Sequence, residues 1–120
     1  MRPVAVLVHV PDIALGLQWY QNAFPEARAR PVDEDGFVVL QLESFCIEIV
    51  QADDKVSAGM SAGKCGTVLY WWTESVEMQM THLLGIGATL YRGPMAIEDS
   101  QVMCQMQDPF GNLIGLRGGK

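Results

Sequence analysis

The sequence predicts an α+β fold made of two consecutive units, each with the order strand, helix, strand, strand, strand. Three observations predict it. Two helices with one apolar face, near 13–24 and 76–84, each follow a β-branched or aromatic strand. The segment GIGATLYRGP echoes the segment AFPEARARPV at a shift of 62, so that Arg92 corresponds to Arg30. The chain then ends in two strands that the turn at 108–112 joins.

The first unit begins with a predicted strand at 4–10, VAVLVHV, which Pro11 ends. Asp12 can cap the following helix, whose apolar residues recur at spacings of four, three and four. These residues are Ile13, Leu17, Tyr20 and Phe24. Further strands are predicted at 27–32, 37–42 and 45–50, with an acidic turn at 33–36 and a second turn at Glu43 and Ser44.

The second unit repeats this order after a small, polar segment that we interpret as a linker. A strand is predicted at 66–73, and Ser75 can cap a helix whose apolar face contains Val76, Met80, Leu83 and Leu84. In the final turn, Gly111 and Asn112 both tolerate a positive φ angle, which lets the chain reverse. We therefore predict a single domain at 1–120, with modules at 1–52 and 65–120 and a linker at 53–64.

Composition and charge narrow the class of function. The chain has 120 residues, 14 acidic and 8 basic, and a net charge of −6, which disfavours binding to nucleic acid. The apolar start of the chain is far shorter than the roughly 20 residues of a membrane span, so we expect a cytoplasmic protein with no membrane partner. The cysteines, Cys46, Cys65 and Cys104, are odd in number and lack CxxC spacing, so we expect buried free thiols.

Three short motifs resemble those of one superfamily. They are VPDI at 10–13, the aromatic pair Trp19 and Tyr20 ahead of a short helix exit, and DPFGN at 108–112. With the repeated unit, they resemble the vicinal oxygen chelate superfamily of glyoxalases, bleomycin-resistance proteins and extradiol dioxygenases. The resemblance implies that each unit curls into a half-barrel, that the two units form a cleft for a small molecule, and that the protein dimerises.

The same resemblance locates four metal-ligand positions, which enzymes of the superfamily usually fill with histidine or glutamate. In this sequence the positions fall on Ala5, Glu48, Thr67 and Gly115. One carboxylate does not retain a metal, because catalytic sites usually supply about three protein ligands. We therefore expect no metal and no other cofactor, which disfavours a glyoxalase isomerase or an extradiol dioxygenase, since both need the ion.

Strand alternation suggests which residues line the cleft. His9 shares a face with Ala5, and Trp71 shares one with Thr67, whereas Tyr70 and Trp72 point to the opposite side. The predicted ligand-binding residues are His9, Phe37, Glu48, Thr67, Trp71, Tyr91 and Met103. Each of His9, Trp71 and Met103 could instead be an ordinary strand or core residue. Glu48 could likewise be held by Arg92 or Thr67.

Two hypotheses of function follow. The first is a metal-free binding protein like the bleomycin-resistance proteins, which sequesters a neutral or cationic, aromatic compound without chemistry and so gives antibiotic resistance. The charge of the ligand follows from the negative net charge of the chain. The alternative is a glyoxalase-like lyase or isomerase, or a dioxygenase-related enzyme, that uses Glu48 as a base with His9 or a weakly held divalent metal. Either protein is expected to be a homodimer, since 49% of the residues are hydrophobic.

Overall fold

The computed structural model describes residues 3–30, 37–52, 68–97 and 99–120, without the side chain of Phe37. The chain divides into two compact units, Met1–Gly59 and Met60–Lys120. Within the described residues, each unit contains one helix and one four-stranded sheet. The predicted turn at 33–36, the predicted linker at 53–64 and the residues Cys65 and Thr67 lie outside the described residues.

The first unit has the predicted order of one strand, one helix and three strands. Its elements are β1 (Ala5–Val10), α1 (Ile13–Ala23), β2 (Arg28–Arg30), β3 (Phe37–Leu42) and β4 (Phe45–Gln51). The strands are arranged β1-β4-β3-β2, with β1 parallel to β4 and the other neighbours antiparallel. Two parallel strands need a long crossover connection between them, and α1 is part of the connection from β1 to β4.

The second unit repeats this arrangement. Its elements are β5 (Tyr70–Thr73), α2 (Val76–Gly85), β6 (Thr89–Ala96), β7 (Val102–Gln107) and β8 (Leu113–Gly118). The strand order is β5-β8-β7-β6, again with a parallel pair, β5 and β8, at one edge. The two βαβββ modules predicted from the sequence are confirmed, although β5 begins at Tyr70 and is shorter than the predicted strand at 66–73.

Both helices begin at the predicted caps. The carboxylate of Asp12 accepts a hydrogen bond from the backbone N–H of Leu15 at 3.0 Å, and the hydroxyl of Ser75 accepts one from Met78 at 3.2 Å. Each bond satisfies one of the N–H groups that the first turn of a helix leaves without a partner. Neither helix of the described part of the chain is long and apolar enough to cross a membrane.

The face of α1 that packs on its sheet differs from the predicted face. The buried residues of α1 are Gly16, Trp19, Tyr20 and Ala23. Of the predicted face only Tyr20 is buried, and Ile13, Leu17 and Phe24 are partly exposed. A Cβ atom on Gly16 would lie 2.7 Å from Cγ2 of Val10. The helix therefore approaches β1 closely at a residue that has no side chain, which apolar spacing does not reveal.

The predicted face of α2 is correct at two of its four positions. Val76 and Leu83 are buried, whereas Met80 is partly exposed and Leu84 is 46% exposed. Under this helix lie Cys104 and Met106 of β7, which are fully buried. The core of the second unit is therefore formed by α2 and one face of its sheet.

The predicted turn between β7 and β8 is confirmed, and Asp108 organises it. Its Oδ1 atom accepts hydrogen bonds from the backbone N–H groups of Phe110 at 2.9 Å and Asn112 at 2.7 Å. The side-chain amide of Asn112 donates to Oδ2 at 2.9 Å. Of the two residues that tolerate a positive φ, only Gly111 adopts one, at 98°. Asn112 instead helps to close the turn through its hydrogen bonds.

Candidate functional site

Two rows of residues occupy equivalent places in the two sheets. In the first unit the row crosses β1, β4, β3 and β2 through Leu7, Glu48, Val39 and Arg30. In the second unit it crosses β5, β8, β7 and β6 through Tyr70, Gly115, Gln105 and Arg92. Leu7 and Tyr70 each lie five positions before a helix cap. The predicted correspondence of Arg30 with Arg92 and of Glu48 with Gly115 therefore follows from the strand registers.

In the part of the chain that the structure describes, each sheet has one face against its helix and one face without a helix, which we call the open face. The open face of the second sheet contains two adjacent rows, because residues two apart on a strand share a face. These residues are Tyr70, Gly115, Gln105 and Arg92 in one row and Trp72, Arg117, Met103 and Met95 in the other. The open face of the first sheet contains Leu7, Glu48, Val39 and Arg30 together with His9 and Cys46.

The ring of Tyr70 fills the space above Gly115. A Cβ atom added to Gly115 would lie 2.5 Å from Cδ1 of Tyr70, closer than atoms that are not bonded can approach. The phenol hydroxyl of Tyr70 also lies 2.6 Å from Nε2 of Gln105, which donates a hydrogen bond to it. Packing and the hydrogen bond together hold the ring across the row, where a metal-ligating side chain at position 115 would have to project.

The structure places Trp71 on the face of the second sheet that α2 covers, whereas the sequence predicts it on the cleft face with Thr67. Trp71 pairs with Leu116, which pairs in turn with Cys104, and both partners are buried on the face that α2 covers. Parallel neighbours in register point to the same side of a sheet, so the residue that faces Gly115 is Tyr70. The register likewise makes Val68, and not Thr67, the counterpart of Ala5, since each lies seven positions before a helix cap.

Glu48 and His9 share the open face of the first sheet. Glu48 pairs with Leu7, and His9 lies two positions farther along β1, so both side chains point to the same side. Both residues are partly buried. The first sheet therefore offers one carboxylate and one imidazole on a single face, which is too few ligands for a tightly held metal but enough to bind a polar group.

The remaining predicted site residues have different positions. Met103 lies on the open face of the second sheet and is partly buried. Tyr91 is 54% exposed and lies where the register between β6 and β7 shifts, between Leu90 and Arg92. Phe37 belongs to β3, but its side chain lies outside the described part of the structure, as does the whole of Thr67.

The donor atoms of the described residues do not fit a metal centre. Across 3–30, 37–52, 68–97 and 99–120, no group of three or more His, Cys, Asp or Glu side chains is close enough to hold an ion. Of the ligand positions in the described residues, Ala5, Val68 and Gly115 have no donor atom in their side chains. A side chain at position 115 is also excluded by the ring of Tyr70.

A cysteine and an arginine lie close together on the open face of the first sheet. The thiol of Cys46 donates a hydrogen bond to Oε1 of Gln41 at 3.0 Å, and Nη2 of Arg30 lies 4.0 Å from the sulfur. Cys46 is partly exposed and Cys104 is fully buried. The expectation of buried free thiols is therefore confirmed for Cys104 and wrong for Cys46. The third cysteine, Cys65, lies outside the described residues.

A small pocket of about 300 Å³ lies on the opposite side of the second sheet, beside α2. The residues that line it are Val76, Glu77, Met80, Pro94, Val102 and Lys120. Val102 shares the buried face of β7 with Cys104, so this pocket is separated from the open face by the sheet itself. It contains none of the predicted site residues that the structure describes.

Sequence reasoning missed Tyr70, Trp72, Gln105 and Arg117 as residues of the open face. The signal that could have found them is the position of Gly115 relative to the cap of α2. If the parallel pair β5 and β8 is aligned as β1 and β4 are, Gly115 faces Tyr70. Trp72 then follows by alternation, and it is 66% exposed.

The structure is similar to several solved structures over nearly its whole length, whereas the sequence matches no family model and no curated protein. A glyoxalase/bleomycin resistance protein/dioxygenase family enzyme from Burkholderia phytofirmans PsJN aligns with a TM-score of 0.74 and 16% identity, covering 98% of both chains. The protein UcmS2 aligns with a TM-score of 0.77 and 14% identity, covering 98% of this chain and 97% of the other.

An integron cassette protein from the mobile metagenome of V. cholerae aligns with a TM-score of 0.69 and 18% identity, covering 100% of this chain and 96% of the other. Identities of this size support a common fold and leave function to be argued from the site. The chain has the glyoxalase/bleomycin resistance/dioxygenase fold that its motifs and its repeated unit predict.

Proposed function

We propose that this protein binds a small molecule without a bound metal and without chemical turnover. The contact between Tyr70 and Gly115 carries the proposal. In a metal-dependent relative, position 115 would bear a ligating carboxylate, whereas here an aromatic ring occupies that space and is tied to Gln105. The row of the second sheet that contains Tyr70 and Gly115 therefore offers an aromatic surface, which can pack against a ligand or a neighbouring side chain.

The chemical character of the open faces supports binding of an organic ligand. Tyr70 is 37% exposed and Trp72 is 66% exposed, and both share the open face of the second sheet with Met103 and Met95. Aromatic side chains provide large contact areas with little loss of conformational entropy, and methionine adapts to the shape of a ligand. The proposal keeps the predicted homodimer, cytoplasmic location and role in antibiotic resistance as expectations.

Elemental analysis of the purified, dialysed protein tests the metal-free part. We expect well under one equivalent of zinc, nickel, manganese or iron per chain. The matched control is the Glu48→Gln variant. It removes the one carboxylate among the four ligand positions and should leave the metal content unchanged. Near one equivalent of metal that disappears in Glu48→Gln would refute the proposal.

Thermal-shift screening of a compound library tests the binding part. A ligand that binds only the folded protein raises its melting temperature by mass action, by an amount that grows with ligand concentration. Taken alone, the net charge of −6 predicts that neutral or cationic aromatic compounds, bleomycin-like molecules included, give the largest shifts, so the library should also contain anionic compounds of the same shapes. A library without any stabilising compound would contradict the binding function.

One observation favours the enzymatic alternative, a glyoxalase-like lyase or isomerase. Glu48 and His9 share the open face of the first sheet, and a carboxylate beside an imidazole can move a proton. If this alternative is right, a compound that binds is also converted, Glu48→Gln abolishes conversion, and binding of the compound survives. Under the binding-protein proposal, the compound is recovered unchanged from the parent protein.

A further inference from the structure

The charge of the chain is divided unevenly between its two units. The first unit contains nine acidic and four basic residues, and the second contains five acidic and four basic residues. Most of the net charge of −6 therefore belongs to the first unit. The net charge is consequently a poor guide to the local potential over the second sheet, because screening by salt confines surface charges to a range of about 8 Å.

The open face of the second sheet is locally basic. Its eight residues include Arg92 and Arg117, both exposed, and none of the four strands β5 to β8 contains an aspartate or a glutamate. Arg117 pairs with Trp72 across the parallel strands and donates a hydrogen bond from Nε to the neutral side chain of Gln101 at 3.2 Å. A ligand with a positive charge would be repelled at close range by the guanidinium group of Arg92.

The arrangement of this face fits a flat ring with an acid group at one end. Tyr70 and Arg92 occupy the two ends of a four-residue row, about 14 Å apart at the usual spacing of neighbouring strands. Between them Gly115 has no side chain, and the side chain of Gln105 is tied to the Tyr70 hydroxyl. The ring of Tyr70 covers Gly115, so the middle of the row presents an aromatic surface against which the ring of a ligand can pack.

We propose that the open face of the second sheet selects an aromatic carboxylate, with the ring against Trp72 and Tyr70 and the acid group on the guanidinium of Arg92. A planar guanidinium binds a carboxylate through two parallel N–H···O hydrogen bonds, which a cation or an amide cannot form in its place. This inference rests on the proposed function, and it gives the ligand a charge opposite to the one that the net charge of the chain predicts.

Calorimetric titration with three probes of one shape tests the inference. The probes are 2-naphthoate, 2-naphthamide and 2-naphthylmethylammonium, which differ in charge and hardly in size. We expect 2-naphthoate to bind with a dissociation constant about tenfold or more below those of the other two, since a charge-assisted pair is stronger than a neutral contact. Trp72→Leu should weaken 2-naphthoate and 2-naphthamide alike, because both lose the same stacking surface.

The Arg92→Gln variant isolates the acid-binding group. It should raise the dissociation constant of 2-naphthoate about tenfold or more and leave that of 2-naphthamide within about twofold. Arg28→Gln, which removes an exposed arginine from an edge strand of the first sheet, is the matched control and should change neither. Both positions are exposed, so circular dichroism should show that all variants fold like the parent.

The outcomes separate this inference from the function on which it rests. If 2-naphthylmethylammonium or 2-naphthamide binds best, or if Arg92→Gln binds 2-naphthoate like the parent, the carboxylate assignment is wrong and the binding function stands. If none of the three probes binds up to about 1 mM and the compound library also gives no stabilising ligand, both are wrong, because millimolar affinity is the weakest that such a face would offer.

Discussion

At the scale of single residues, the contact between Tyr70 and Gly115 sets the character of the second sheet. Glycine is required at position 115 because the ring of Tyr70 lies where any Cβ atom would be. The register places the same position at Glu48 in the first sheet, opposite the shorter side chain of Leu7. Where the first unit has Leu7 and Glu48, the second unit has Tyr70 and Gly115. An aromatic surface thus takes the place of a potential metal ligand.

Substitution of Gly115 by alanine should therefore destabilise the protein. The added methyl group must displace the ring of Tyr70 and weaken its hydrogen bond to Gln105, at a cost of about 1–3 kcal/mol in the free energy of unfolding. Urea denaturation measures it. Gly85→Ala is the matched control, since no atom lies within 4 Å of a Cβ there and the change should be neutral or stabilising by up to about 1 kcal/mol.

A second variant shows whether the ring is the cause. In a Tyr70→Ala background the ring is absent, so Gly115→Ala should cost much less than it does in the parent. Equal losses in the two backgrounds, or a Gly115→Ala protein as stable as the parent, would mean that the ring does not restrict position 115.

Cysteine reactivity gives another prediction at this scale. Burial raises the pKa of the Cys104 thiol above its usual value of 9.0, so little reactive thiolate forms near neutral pH. Cys46 is partly exposed on the open face of the first sheet. Native protein treated with iodoacetamide at pH 8 should be labelled at Cys46 well before Cys104, as peptide mapping by mass spectrometry can show. Faster labelling of Cys104 would contradict its burial in the core.

At the scale of secondary-structure elements, the terminal hairpin holds the second sheet in register. β8 is a central strand, bonded to β5 on one side and to β7 on the other. The turn that leads into it is closed by the carboxylate of Asp108, which is only 4% exposed. The conformation of this turn therefore positions both Gly115 and Arg117 on the open face.

Replacement of Asp108 by alanine should destabilise the protein more than loss of a helix cap. Asp108→Ala leaves two backbone N–H groups and one amide without their acceptor, at about 1–3 kcal/mol. Asp12→Ala removes a single cap bond, at about 1 kcal/mol. Thermal unfolding compares them, and Asp108→Asn should fall between the parent and Asp108→Ala because it keeps one acceptor oxygen. A smaller loss for Asp108→Ala than for Asp12→Ala would contradict this account of the turn.

At the scale of the whole molecule, the described residues leave much apolar surface uncovered. Ten large apolar side chains are more than a third exposed, and half of them belong to the edge strands of the second sheet. The five are Tyr70, Trp72, Leu90, Tyr91 and Met95. Exposed apolar side chains at both edges of one sheet favour a binding or assembly surface there, whereas single exposed apolar residues are ordinary.

We therefore keep the prediction of a homodimer. Light scattering at about 10 µM, where a dimer with nanomolar affinity is fully formed, should give about twice the chain mass of 13.2 kDa. Met95→Glu should favour the monomer if β6 lies in the interface, whereas Met78→Glu on the exposed side of α2 should not. A monomeric mass for the parent would contradict the dimer and leave the fold unaffected.

Local sequence signals were sufficient to predict most of the fold. The caps Asp12 and Ser75, the proline residues after β1 and α1 and the turn around Gly111 act over a few residues, so their effects can be read directly from the chain. The similarity between the segments 23–32 and 85–94 predicted that the second unit repeats the topology of the first. The buried face of α1 was the exception, because it depends on the contact of Gly16 with Val10, which belongs to another element.

Only the tertiary structure decided which residues share the open face. Trp71 and Tyr70 are neighbours in the chain, yet they lie on opposite sides of the sheet, and their assignment depends on the partners that β5 finds in β8. A register change of one residue moves every side chain of a strand to the other face, and no local signal in a four-residue strand records that register. The sequence by itself determined the two βαβββ units and the absence of ligating side chains at Ala5 and Gly115, and the strand pairing determined that the ring of Tyr70 occupies the space over Gly115.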